Sequence, residues 1–466
     1  MWAAIAGTTL ITLPRLTPVS NGDFYTFVSV AERLRSGDRL YVDVWDNKDP
    51  YFYYALSVIG YLGHWGYYLL EVVWVGIAVL ALAQLGQSQG MSLRWSLVIA
   101  WGIAPWCLIG STYAGSMTMM PGVALALTVF ALAARGRWAW VGLVLGLLLF
   151  LKLILIPVAL AGAAVFWSSQ RSRACLMVLA GGAASSVIGI VVLALRGELG
   201  GYVSVLQRNS EYAGRMVDSS GAAAFVDHLS LSSPTGEYPA ARVAACAIVV
   251  GLVLAAWRAR SGSWRLVLCA AVVAVTCMVV LGLTAVWSHH AQLLALPASV
   301  TLLALAQGGP PRDTTRYVGV LAGGLLAGYL LGGATPVPEL TIGPARAVEP
   351  LGALRGDSPE AASIADDDVS TYTRLGRNDL DAHARGLGAL TLACPDFQQY
   401  EFDPPSTYAR TLRCLPDSDV VFVSVNFADV PVADYIEFTT EVEAVLASQF
   451  DCALAEYGRK CLRRDR

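Results

Sequence analysis

The chain has 466 residues, 56% of them hydrophobic and only 14% charged, with a formal net charge of −3. Soluble domains carry nearer a quarter of their residues charged, which excludes a globular enzyme in water as the main body. A slightly acidic balance also excludes the broad basic surface that binds nucleic acid.

Apolar runs recur through the first three quarters of the chain, and about 20 such residues cross a bilayer as a helix. The sequence therefore predicts a polytopic α-helical membrane protein. Eleven spans are expected: Trp2–Pro14, Tyr67–Leu85, Trp95–Gly110, Met119–Ala134, Trp138–Leu151, Leu153–Trp167, Cys175–Leu195, Ala241–Trp257, Leu266–Val286, Ala291–Ala306 and Tyr317–Gly332. The first is short, so either its helix runs on through Leu16 or the start lies upstream. Lys152 interrupts the fifth and sixth, and a lysine at mid-membrane costs about 2.5–3.5 kcal/mol. A re-entrant pair of short helices with Lys152 at the turn is expected there.

Arginines in the short loops set the orientation. With the N-terminus cytoplasmic, the inner loops hold Arg94, Arg135, Arg137, Arg171, Arg173, Arg258, Arg260, Arg265, Arg312 and Arg316 against the single acid Asp313. The opposite loops hold Asp23, Glu32, Asp38, Asp43, Asp46, Asp49, Glu198, Glu211, Asp218 and Asp227. Three outer segments are long: Thr17–Trp65, Arg196–Ala240 and everything after Gly333. The first apolar stretch lacks a charged n-region, so no signal peptide is expected. The protein is placed in the plasma membrane, multi-pass, with residues 1–333 as its transmembrane domain.

Residues 334–466 change composition and are expected to form a linker and a small extracytoplasmic α/β domain. Asp419–Val425 predicts a strand, Ala433–Phe450 an amphipathic helix, and Cys452–Leu462 a hairpin turning near Gly458. Gly356–Asp368 is expected to be a mobile linker or loop. Of nine cysteines, Cys107, Cys175, Cys246, Cys269 and Cys277 lie in or beside spans, where cysteine is a small apolar residue. Cys394, Cys414, Cys452 and Cys461 lie outside, where disulfides persist. Nearest-neighbour pairing, 394 with 414 and 452 with 461, is expected over a zinc site, since no Cys-x-x-Cys spacing occurs.

The first outer loop carries most of the candidate chemistry. Phe24, Phe27, Val28, Ala31 and Leu34 recur at helical spacing, with Arg33 and Arg35 on the polar side. This predicts an amphipathic helix on the membrane surface, ended by Gly37. Asp23, just before it, fits two roles: an N-cap, or a general base held at the interface. Lys48, one of three lysines with Lys152 and Lys460, either snorkels beside the following helix or neutralises a phosphate. Tyr51, Phe52, Tyr53, Tyr54, Trp65, Tyr67 and Tyr68 read as an interface belt whose rings could also stack on sugars. His289 and His290, at an outer span end beside Trp287, are either an interfacial anchor or a phosphate contact. Arg208 and Arg215 offer the same choice between surface and phosphate. Glu71, inside a span, needs a partner or a polar cavity.

The order short helix, Gly22-Asp23-Phe24-Tyr25, amphipathic helix, then SGDRLYVDVWDNKDP (Ser36–Pro50) and aromatics resembles the first periplasmic loop of GT-C polyprenyl-phosphate-sugar-dependent glycosyltransferases. The bacterial dolichyl-phosphate-mannose-protein mannosyltransferase-like group is the nearest match. Gly146–Pro157 (GLLLFLKLILIP) is similar to that group's short-helix pair with a lysine at the turn. Trp287–Pro297 (WSHHAQLLALP) is similar to its late outer turn. The resemblance covers roughly residues 1–333 and implies a GT-C-like fold of about eleven transmembrane helices.

It also implies an inverting glycosyltransferase, a hexosyl- or pentosyltransferase, of cell-envelope glycan, glycolipid or glycoprotein assembly. The partners implied are a polyprenyl-phosphate sugar donor, a glycan, lipid or protein acceptor, and membrane lipid. Asp23 would be the catalytic base, and Lys48, with His289, His290 and Arg208, would hold the donor phosphate. Asp43, Asp46 and Tyr53 would orient substrate. Mannose and arabinofuranose are both compatible sugars, and no metal ligand is assigned, although some relatives use a divalent metal. The chain departs from the family where many relatives have Asp-Glu in place of Asp23-Phe24, and where Lys48-Asp49-Pro50 replaces Lys-Pro-Pro. A lipid-glycan ligase, polymerase or phosphate-group transferase, and a lipid flippase or transporter, are the alternatives.

Overall fold

The structure, a computed structural model, describes residues 27–62 (28, 29, 32, 45 and 47 excepted), 64–109, 118–167, 171–210 (208 excepted), 264–282, 293–307, 360–364, 391–392, 420–424, 441–455 (442 excepted) and 458–464, with a few single residues besides. The expected spans Trp2–Pro14 and Tyr317–Gly332, and nearly all of Ala241–Trp257, lie outside the described residues.

The described chain is mostly helical: α1 (Pro50–Ile59), α2 (His64–Ser88), α3 (Leu93–Ile109), α4 (Met119–Ala134), α5 (Trp138–Leu149), α6 (Ile156–Ala164), α7 (Arg171–Leu195), α8 (Trp264–Gly282) and α9 (Ala295–Gln307). Among the described residues three stretches are long and apolar enough to cross a membrane: Leu69–Ser88, Arg171–Leu195 and Trp264–Leu281. Shorter apolar helices occupy five more of the eleven expected positions. At 25 residues α7 is about 37 Å long, more than the hydrocarbon core needs. Its outer residues Leu176, Leu179, Val187 and Ile188 are exposed, as suits a helix solvated by lipid rather than by protein.

Two compact units divide the chain. Residues 1–19, 68–193 and 213–341 form the first, and residues 20–67, 194–212 and 342–466 the second. Residues 20–67 fall in the second unit with residues 194–212, to which they are hydrogen-bonded.

In the first unit, the lysine-centred break is as expected. α5 ends at Leu149, and Lys152 adopts an extended φ of −165° before a 3-10 turn at Leu153–Leu155 and α6. A continuous helix over 138–167 would hold its end residues about 43 Å apart. Instead the rings of Trp138 and Trp167 stack with centroids 5.9 Å apart. The two short helices therefore fold back as a hairpin. α4 backs it: Gly122 faces Leu155 and Lys152 near the turn, and Gly162 faces the Phe130 ring further along. α5 also lies tightly on α7, with Gly142 against the Val178 carbonyl and Gly181 against the Ala139 carbonyl. Small residues permit this backbone approach, which supplies van der Waals contact where lipid removes the hydrophobic drive. α8 packs on α6 and α9, and its Cys269 and Cys277 thiols donate to the carbonyls of Gly162 and Leu293 at 3.7 and 3.5 Å.

In the second unit, the tail carries a five-stranded mixed sheet in the order β2-β1-β3-β5-β4. The strands are β1 (Glu360–Ile364), β2 (Thr391–Leu392), β3 (Val420–Ser424), β4 (Phe450–Ala455) and β5 (Gly458–Arg463). β1 runs parallel to β2 and β3, while β5 pairs antiparallel with β3 and β4. The expected strand and hairpin are present, and β3 lies at the centre of the sheet. The expected helix over Ala433–Phe450 is described at 441 and 443–449 and stops before Phe450, which is already in β4. Gly356–Asp368 is not simply a mobile linker, since it contains β1. An acidic, alanine-rich stretch hides a strand from composition, because its pairing with Val420–Val423 is non-local. Cys452 and Cys461 face each other across the hairpin and form the expected disulfide. The 394–414 pairing lies outside the described residues.

Candidate functional site

The candidate site is built on the segment expected to be the first outer loop. Residues 27–35 are helical where described, with Phe27, Val30, Ala31 and Leu34 buried. That apolar face does not lie against lipid as expected. Phe27 packs edge-on against Phe52 at 5.0 Å and Tyr53 at 6.0 Å, so α1 takes the face that periodicity alone would assign to a membrane surface. Gly37 ends this helix with a φ of 106°. The Asp38 and Gly37 amides donate to the Arg33 and Leu34 carbonyls, a left-handed cap that glycine adopts without Cβ strain.

A tight turn follows. Asp43 accepts hydrogen bonds from the Arg39 amide and guanidinium, both at 2.9 Å, and Arg33 donates to the Asp43 carbonyl at 3.0 Å. Arg39 holds the Asp43 carboxyl below the usual carboxylate range. Asp43 is exposed and its carboxylate is engaged in closing this turn. Tyr41, at its head, has a φ of 66°, which costs a non-glycine residue roughly 1–3 kcal/mol. Its ring stacks on Tyr202 at 5.6 Å and its hydroxyl donates to the Lys48 carbonyl at 2.7 Å. Burial, with Asp49 nearby, pushes the Tyr41 phenol well up.

Asp46 and Lys48 form a second small turn. Asp46 is 0% exposed. Its Oδ1 accepts the Lys48 amide at 2.8 Å, while Oδ2 has no hydrogen-bond partner among the described residues. Lys48 is half-buried, and its ammonium lies 5.9 Å from the centroid of the Phe27 ring. Pro50 then starts α1 at a position where its missing N–H costs nothing. Asp49, in the N-cap position, makes no cap bond; its carboxylate accepts instead from the Tyr202 hydroxyl at 3.1 Å. Tyr53 is fully buried among Phe27 and Phe52, a core position.

The residues that hold this loop were not legible as site residues. Glu198, three positions past the end of α7, is 0% exposed. It accepts from the Leu40 amide at 3.0 Å, from Arg196 at 2.8 Å and from the Tyr54 hydroxyl. Burial and then the Glu198 carboxylate push the Tyr54 phenol up, as burial and then Asp49 do for Tyr202. Arg-Gly-Glu after a span reads as one more polar loop, and nothing local signals that Leu40 lies 158 positions away in sequence but one hydrogen bond away in space.

Asp23, Arg208, His289 and His290 lie outside the described residues. Of the expected site residues, the structure thus brings Asp46, Lys48 and Tyr53 into one cluster with Phe27, and ties Asp43 to Arg39. Among the described residues no group of three or more His, Cys, Asp or Glu is placed to hold a metal ion. Chemically the cluster offers a lysine cation beside an aromatic face and a buried carboxylate oxygen that lacks a hydrogen-bond donor among the described residues. No protein-family description matches the chain, and no curated protein matches it in sequence.

Proposed function

We propose that the chain is an integral-membrane inverting glycosyltransferase of the GT-C type, moving a sugar from a polyprenyl-phosphate donor to an extracytoplasmic acceptor. The N-terminus is cytoplasmic, and the first outer loop and the tail sheet share the outer side. The observation that carries the reading is the Asp46–Lys48 turn. A fully buried carboxylate with one oxygen lacking a donor is costly unless a ligand completes it. A half-buried lysine two residues on suits an anionic group beside that ligand. A sugar phosphate offers both: hydroxyl donors and a phosphate.

In this reading Asp23 takes the proton of the acceptor hydroxyl as its oxygen attacks the anomeric carbon. The bond from that carbon to the phosphate oxygen breaks on the opposite face, so configuration inverts and polyprenyl phosphate leaves. Lys48 neutralises the charge that develops on the leaving phosphate, which in a water-poor site is worth several kcal/mol of barrier, about 3 by analogy with single oxyanion donors. Arg208, His289 and His290 are further candidates for phosphate contact. Asp43 holds the turn rather than substrate.

The test is glycan linkage analysis of the cell envelope in a deletion strain complemented with wild type or Asp23→Asn at matched protein level. Asparagine keeps most N-cap ability but cannot act as base. The deletion is expected to lose one linkage, which Asp23→Asn fails to restore. Full restoration would reduce Asp23 to a cap, and an unchanged linkage profile in the deletion would sink the glycosyltransferase reading.

A further inference from the structure

The segment after α7 grips the Asp46–Lys48 turn from both sides. Residues 199–207 are helical, and the Tyr202 amide donates to the Glu198 carbonyl at 3.0 Å, so Glu198 and Tyr202 lie one helical turn apart on the same side. Glu198 holds Leu40, ahead of the turn, and Tyr54, behind it. Tyr202 holds Asp49 by its hydroxyl and Tyr41 by its ring, and Tyr41 in turn bonds the Lys48 carbonyl. Both ends of the loop that carries Asp46 and Lys48 are thereby fixed to one short helix.

This arrangement gives up stability. The Glu198 carboxylate is fully buried while its partner Arg196 stays exposed, so the carboxylate gives up its hydration for a pairing that water still screens. Asp49 forgoes its cap, and Tyr41 sits in a left-handed conformation. Three such costs converge on one turn of a few residues. Strain and buried charge held by surrounding structure in this way are spent on geometry.

We propose that Glu198 is a positioning residue, acting with Tyr202 to set Lys48 for the phosphate of a lipid-linked ligand. The inference rests on the reading of Lys48 as the phosphate site. It assigns Glu198 no contact with the ligand; its effect passes through the loop.

The experiment measures binding of a long-chain polyprenyl monophosphate, without sugar, to the full-length protein in lipid nanodiscs. Wild type, Lys48→Met, Glu198→Gln and the double variant form a cycle. Losing the lysine is expected to weaken binding roughly ten-fold, and Glu198→Gln by about as much. The double variant is expected to bind no worse than Lys48→Met. Should Glu198→Gln fail to fold, Tyr202→Phe removes the hydroxyl that Asp49 accepts from and is expected to show the same non-additivity at a smaller, several-fold effect. A merely structural role would leave the two losses multiplying, and that result overturns the proposal. So does wild-type affinity in Glu198→Gln, or no binding of the lipid phosphate by wild type. The outcomes separate from those of the sugar-transfer test. A closed cycle with no lost linkage leaves Glu198 in place and removes the glycosyltransferase reading, whereas a lost linkage with multiplying effects does the reverse.

Discussion

At the scale of single residues, the outer loop depends on one close approach. A Cβ on Gly201 would come 2.6 Å from the Tyr41 Cβ and 2.9 Å from its carbonyl oxygen. Neither atom is the free end of a flexible chain, so alanine there must displace backbone. Gly201→Ala is expected to cost about 1–3 kcal/mol, localised to the loop. Hydrogen exchange followed by mass spectrometry checks this: amides over residues 38–50 should exchange faster while those of α4 do not change. Unchanged exchange across the loop would mean that Tyr41 and the segment after α7 are not packed this closely.

At the scale of elements, the α5–α6 hairpin is short because Lys152 stops it, and it is placed because glycines let it lie on its neighbours. Gly142 and Gly146 on α5 meet Gly182 and Ser185 on α7, small residues spaced about one turn apart on each helix. Gly142→Leu is expected to destabilise the detergent-solubilised protein by about 1–3 kcal/mol, read as a lowered temperature of aggregation. Gly76, on α2, has nothing within 4 Å of its missing Cβ. Gly76→Ala should therefore be neutral or slightly stabilising, since alanine favours helix over glycine by about 1 kcal/mol. A gain in both variants would show that helix propensity, not the α5–α7 contact, is what the assay senses.

At the scale of the whole molecule, the cysteines report sidedness. The Cys452–Cys461 bridge persists only in an oxidising compartment, whereas Cys175, exposed near the arginine-rich start of α7, belongs to the opposite side in the proposed topology. Cys461→Ala leaves the Cys452 thiol unpaired. A membrane-impermeant maleimide applied to intact cells is expected to label Cys452 in that variant, and Cys175 only after the membrane is permeabilised. Labelling of Cys175 in intact cells, with Cys452 protected, would invert the topology and place the first outer loop in the cytoplasm.

What the sequence determined by itself is whatever depends on neighbours a few residues away. Hydropathy marks the apolar helices because each must satisfy its own backbone in lipid. The break at Lys152, the helix end at Gly37 and the hairpin bridged by Cys452 and Cys461 are likewise set by local cost and local geometry. Tertiary structure alone decided which partner each face and each charge took. The amphipathic face of residues 27–34 is equally apolar toward lipid and toward α1, and only the Phe27 contacts with Phe52 and Tyr53 choose between them. Strand β1 exists because β3 is beside it. Glu198 became a buried node because a chain of 158 residues closes on Leu40. Periodicity carries no record of such closures, since their free energy lies in contacts between segments whose own sequences are silent about one another.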